Sequence, residues 1–191
     1  MKPNKDWICT DGEKILREKT TALEFPLSKA DKENIEKMQA YIDASYDDSY
    51  ENYGINPGIA IAANQIGWNK SVVYIHFESA GNEYKYLLAN PKIISYSQGF
   101  TYLEGGEGCL SVPKSHKGIV PRRAKVIVEA IDLLDNNKVI KIKASGILAI
   151  NLQHELDHLE GILYYDHINK KDPMHIESDW VPFSSKEELV E

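Results

Sequence analysis

Gln153-His154-Glu155-Leu156-Asp157-His158 places two imidazoles four residues apart, with a carboxylate directly after the first, in a chain of 191 residues. On a helix, residues i and i+4 share a face, so both histidines can grip one ion while Glu155 stands where it can take a proton from a bound water. The surrounding pattern supports a helix. From Gly146 onward, Leu148, Leu152, Leu156 and Leu159 form one stripe, Ile150, His154 and His158 form another, and Gly161 supplies a stop. A helix that is apolar on one stripe and ligand-bearing on the other has to lie between a core and a cleft, so the rest of the chain must wrap it.

The preceding segments read as sheet. Ser71 to Phe77, Glu83 to Ala89 across a turn at Gly81-Asn82, and Pro91 to Ser97 are three strand signals. Ala124 to Asp132 alternates Val126, Val128 and Ala130 against Lys125, Ile127 and Glu129, and Lys138 to Lys143 pairs with it through Asp135-Asn136-Asn137. Ser28, with Asp31 and Glu33, opens an N-terminal helix in which Ile35, Met38 and Ile42 recur toward Tyr46, and the acidic stretch from Asp43 to Tyr53 reads as its fraying end and a loop. Gly99 to Pro121 reads as one long irregular segment, the kind that usually has a functional reason. The expected fold class is α+β, with antiparallel β-sheets packed around a central metal-binding helix and an N-terminal helix beside them. One catalytic domain is expected over 1–191, with 165–191 a C-terminal tail that adds a strand or wanders.

Composition bounds the function. Charged residues make up 27% and apolar residues 42%, as in an ordinary globular domain, and the formal charge of -7 argues against a broad basic face for nucleic acid. No apolar run approaches a membrane span, and Met1 to Thr20 mixes Lys, Asp and Glu where a signal peptide would build an apolar core. The expected location is the cytoplasm. Two cysteines, Cys9 and Cys109, are too few for a disulfide scaffold.

Two histidines do not make a catalytic metal site; a third protein ligand is required, with one position left open. One zinc-protease pattern would put a histidine six residues after His158, but Tyr164 stands there, and the nearest downstream acid is Glu177. Cys109 fits better. It lies in Glu104 to Pro113, E-G-G-E-G-C-L-S-V-P, where glycine makes the backbone permissive, and a thiolate suits borderline or soft divalent metals. A further segment, Gly58 to Gly67, combines small residues with Gln65, whose amide can donate to a developing oxyanion.

These three segments, in this order and at these separations, resemble the signatures of the peptide deformylases: G-Φ-G-Φ-A-A-x-Q with Φ apolar, E-G-C-L-S, and Q-H-E-x-D-H. They appear as Gly58 to Gln65, Glu107 to Ser111 and Gln153 to His158. Ala60 departs from the pattern by standing where the family usually has its second glycine. The residues between the first helix and Gly58, together with the non-helical tail, are similar to the branch typical of Gram-positive bacteria.

The resemblance implies metal-dependent removal of the formyl group from the N-terminal formylmethionine of new polypeptides, releasing formate. Carried over position by position, Cys109, His154 and His158 bind the metal, and metal-bound hydroxide attacks the formyl carbon with Glu155 as general base and acid. Gln65 and the backbone N–H of Leu110 stabilise the oxyanion. Ile59, Ala60, Gly108 and Ile150 line the substrate cleft, and Glu107 with Arg122 holds the cysteine loop. One divalent ion is implied, Fe2+ first, with Ni2+, Co2+ or Zn2+ as substitutes. The implied partners are N-formylmethionyl peptides and nascent chains, with weak ribosome association and no nucleic acid or membrane. The rival readings are a zinc-dependent peptidase of the H-E-x-x-H type and an inactive metal-binding homologue.

Overall fold

Ser28 starts the first long helix, α1 (Lys29–Tyr46), through a reciprocal cap: its hydroxyl accepts the Asp31 N–H at 3.1 Å while the Asp31 carboxylate accepts the Ser28 N–H at 2.9 Å. The computed structural model describes residues 1–183, and the last part of the tail, 184–191, lies outside them. After α1 the chain makes one more short helix, α2 (Tyr50–Tyr53), stopped by Gly54 at φ 60°, where the sequence reads only as frayed loop.

The strands follow: β1 (Ala60–Ala62), β2 (Val72–Ser79), β3 (Asn82–Tyr96), β4 (Phe100–Leu103), β5 (Arg122–Arg123), β6 (Lys125–Asp132) and β7 (Lys138–Ser145). Helix α3 (Gly146–Leu159) comes next, and β8 (Val181–Phe183) lies in the tail. One sheet has the order β1-β2-β3-β6-β7, with every pair antiparallel. A smaller sheet has the order β5-β4-β8, in which β8 runs parallel to β4.

Two strands also differ from the sequence reading. The segments either side of Pro91 form a single strand, because the register shifts between Ala89 and Lys92 and Asn90 takes the left-handed region at φ 52°. The Asn90 carboxamide pairs with both backbone groups of Leu23, and the missing Pro91 N–H falls at the irregularity, so the ladder resumes beyond it. Inside the expected irregular segment, Phe100–Leu103 is a strand whose partners are two residues of β5 and the distant β8, pairings that no local alternation announces.

The large sheet is covered on both faces. Along β2, Val73, Ile75 and Phe77 pack with Leu148, Leu152 and Leu159 of α3, whereas Val72 and Tyr74 pack with Met38, Tyr41 and Ile42 of α1. That alternation follows from the two-residue period of a strand. Each fully buried side chain of this size contributes about 1.5–3 kcal/mol. Helix α3 also touches β4 and β5, so it runs between the two sheets with one stripe in the core and the other toward a cleft.

Candidate metal centre

Residues Ile147, Ile150, Asn151, His154 and Glu155 of α3 share one helix face and form a wall of a cavity of about 630 Å³. The opposite walls come from two loops. Asn56 to Ala60 with Gln65 forms one, and Glu107 to Leu110 with Val112 and Pro113 forms the other, while Leu103 of β4 also contributes. All four residues expected to line a substrate cleft, Ile59, Ala60, Gly108 and Ile150, are in this lining. Gly58 packs closely on this wall, since a Cβ there would sit 2.9 Å from Leu110 Cδ1 and the leucine side chain would have to shift.

Cys109, part of the cavity lining, has its Sγ 3.2 Å from Nε2 of the fully buried His158. One ligand atom each from Cys109, His154 and His158 lie within 4.8 Å of one another, close enough to share an ion. Tautomers follow from the partners. His154 Nδ1 faces Glu107 Oε2 at 2.8 Å, which leaves Nε2 as the free donor of that ring. Burial and the proximity of His154 push His158 well below the usual imidazole range, so it stays in the neutral form that binds metal. His154 behaves oppositely. Burial alone would lower it, but its hydrogen bonds with Cys109 and Glu107 prevail and raise it to about 10. A metal held by His154 would have to displace that proton, since a ligating imidazole binds in its neutral form.

Glu107 is itself positioned. Arg122, only 3% exposed, donates through Nε at 2.8 Å and Nη2 at 2.9 Å to the two Glu107 oxygens, and through Nη1 at 2.5 Å to Asp157. Burial works to raise the Glu107 carboxyl, but the Arg122 and His154 hydrogen bonds overcome it and hold it at about 2. Gln65 is deeply buried in the same region. Its Oε1 accepts the Ala62 N–H at 2.8 Å, and its Nε2 points at Ser111 Oγ (3.1 Å) and Cys109 Sγ (3.5 Å). Glu155 is buried, lines the cavity and has an oxygen with no hydrogen-bond partner. Burial pushes its carboxyl up to about 7, a balance point between taking and giving a proton near neutral pH.

Several residues of the centre have no role that the sequence alone assigns. Ser111 and Asp157 sit inside the recognised motifs without an assigned role, and His167 meets Asp157 at 2.7 Å from a turn beyond α3. Asn151 sits in the cavity wall with a buried, unpartnered Oδ1, concealed in sequence by the apolar residues around it. Tyr164, at the position where the zinc-protease pattern has its third histidine, is a buried ring stacked 6.1 Å from His154, and Glu177 pairs with His175 on the surface.

A Cys-His-His donor set, with His158 buried and the other two partly so, beside a cleft carboxylate defines a metal-dependent hydrolase. The model of the polypeptide deformylase family matches residues 5–174, and the chain belongs to that family. A peptide deformylase of Mycoplasma pneumoniae is 47% identical over 178 residues, 93% of this chain and 82% of that protein. Peptide deformylase 2 of Bacillus cereus is 40% identical, covering 92% of this chain and 95% of its own length. Among solved structures, the Ehrlichia chaffeensis peptide deformylase in complex with actinonin is 27% identical with a TM-score of 0.70, over 90% of this chain and 91% of that one. The Met-Ala-Ser-bound enzyme of Acinetobacter baumannii is 26% identical with a TM-score of 0.67, over 84% of this chain and 96% of that one. The activity is therefore metal-dependent removal of the N-formyl group from formylated nascent peptides, with one divalent ion. Neither the peptidase reading nor the inactive one is favoured.

Proposed function

We propose that Cys109, His154 and His158 hold one ferrous ion and that Glu155 moves the proton in hydrolysis of N-formylmethionyl peptides. The observation that carries this reading is the Glu155 carboxyl, buried in the cleft that Cys109 and His154 also line, poised at about 7 and with an oxygen unpaired. The bound ion supplies Lewis acidity and makes water a competent nucleophile near neutral pH. Glu155 accepts a proton from the attacking water and returns it to the departing amine, which is otherwise a poor leaving group. Gln65 Nε2 and the Leu110 N–H, which meets no acceptor among the described residues, donate to the developing oxyanion, each contributing about 3 kcal/mol.

Ile59, Ala60, Gly108 and Ile150 receive the methionine side chain and the first peptide groups. The Ala60 methyl narrows the cleft without touching the reacting atoms. Ni2+, Co2+ or Zn2+ can substitute for iron, because thiolate and imidazole accept all four, and iron brings oxygen sensitivity with Cys109 the group oxidised. Residues 1–191 act as one catalytic domain in the cytoplasm, meeting substrates as nascent chains through weak ribosome association. The charge of -7 supports the expectation of no direct nucleic-acid partner. No helix among the described residues is long and apolar enough to cross a membrane.

Glu155→Gln tests the central role. The variant should retain one metal per chain and lose at least about a hundredfold in formate release. Full turnover by that variant would refute the assignment.

A further inference from the structure

The buried ion pair behind the metal centre continues to the protein surface. Asp157 Oδ2 accepts from Arg122 Nη1 at 2.5 Å and from His167 Nε2 at 2.7 Å, so one carboxylate oxygen takes two donors. Inward from there, Arg122 clasps both oxygens of Glu107, and Glu107 Oε2 meets Nδ1 of His154 at 2.8 Å. Side-chain exposure falls along this path from 34% at His167 through 20% at Asp157 to 3% at Arg122 and 4% at Glu107. Solvent screening falls with it, so each bond is more strongly felt than the one outside it.

The outermost bond is the one that needs an explanation. Asp157 belongs to α3, but His167 lies in the short turn Tyr164–His167, eight residues past the end of that helix. The turn is fixed independently: Asp166 accepts the Leu163 N–H at 2.9 Å and forms an ion pair with Arg17. His167 therefore approaches Asp157 from a separately anchored element. Without it, the partly exposed Asp157 carboxylate is free to turn toward water, and Arg122 keeps only one of its two anionic anchors. Arg122 orients Glu107, and Glu107 selects the tautomer and direction of a metal-binding imidazole.

We propose that His167 is a positioning residue for the metal centre: by holding Asp157 against Arg122, it keeps Glu107 aligned on His154. This rests on the reading of Cys109, His154 and His158 as the metal site. Partners in direct contact with a ligand commonly change metal affinity by about 10- to 100-fold. His167 stands three residues further out, so about three- to tenfold is expected.

The test uses Co2+ alone as the probe, with affinity measured by chelator competition and ligand geometry followed in the visible spectrum. His167→Ala should bind Co2+ about three- to tenfold more weakly with an altered spectrum, whereas His167→Gln, whose amide can still donate to Asp157, should return both to near wild type. Urea unfolding of the metal-free proteins separates this effect from general destabilisation. Wild-type affinity in H167A, or equal losses in H167A and H167Q, would overturn the proposal. Should H167A not fold, Asp157→Asn, which replaces one accepting oxygen by a donor, must weaken Co2+ binding at least as much, and wild-type affinity there is equally fatal. Failure of the wild-type protein to bind Co2+ would instead remove the metal-site reading itself. The family activity is tested separately by formate release.

Discussion

Replacing Arg122 by Met removes a cation from between two carboxylates while keeping an unbranched side chain in its place. Arg122 is 3% exposed and Glu107 is 4% exposed, so the change leaves a buried anion facing an apolar group. Breaking a buried pair from one side costs about 3–5 kcal/mol, against a typical total stability of about 5–15 kcal/mol. Three hydrogen bonds are lost at once, two to Glu107 and one to Asp157. The consequence reaches the metal centre, because Glu107 then has only His154 to fix it. Urea unfolding of the metal-free protein should show the loss of about 3–5 kcal/mol, and metal titration should show affinity lower by about 10- to 100-fold. A double-mutant cycle with Glu107→Gln isolates the pair and should give coupling well above 1 kcal/mol. Destabilisation under 1 kcal/mol with unchanged metal affinity, or zero coupling, would refute the reasoning and leave Arg122 an incidental residue after Pro121.

Ser28→Ala should cost about 1 kcal/mol in urea unfolding by removing the α1 cap. Asp31, the other half of that cap, is held below its ordinary value chiefly by the Ser28 hydrogen bond, so its contribution is present above the unfolded carboxyl value and is lost as pH falls through the lower folded one. The S28A penalty should therefore shrink in acid, and a penalty constant down to pH 2 would contradict this. Burial first, and then the charge of Glu13, push Cys9 up to about 11, so at pH 8 iodoacetamide should alkylate it about a hundredfold more slowly than an ordinary thiol. Mass spectrometry of the labelled peptide checks this, and rapid labelling at pH 8 would show the thiol to be unshielded.

Elements whose signals are local were readable in the sequence. The Ser28–Asp31 cap, the β6–β7 hairpin through Asn136 and Asn137 at positive φ, and the stop at Gly161 each rest on residues within a few positions of one another. Gly161 also has a tertiary reason that spacing could not reveal, since a Cβ there would lie 2.6 Å from the Arg17 carbonyl oxygen. What escaped depended on distant partners. β4 pairs with β8 some 80 residues later, and β3 passes through Pro91 because Asn90 finds Leu23 far upstream. The site divides the same way. The proposed ligands and base stand in short motifs, whereas the bonds of His167 to Asp157 and of Ser111 to Gln65 are created only by folding, and Asn151 looks in sequence like one more position on a helix.

The most direct test of the account is formate release from a formyl-Met tripeptide by protein purified and assayed without oxygen, with metal content measured on the same sample. The account predicts one divalent metal per chain and one formate per free amine produced. It also predicts loss of both activity and metal in Cys109→Ser, with no cleavage of the peptide's internal bonds. Internal-bond cleavage, or full formate release by metal-free protein, would contradict it.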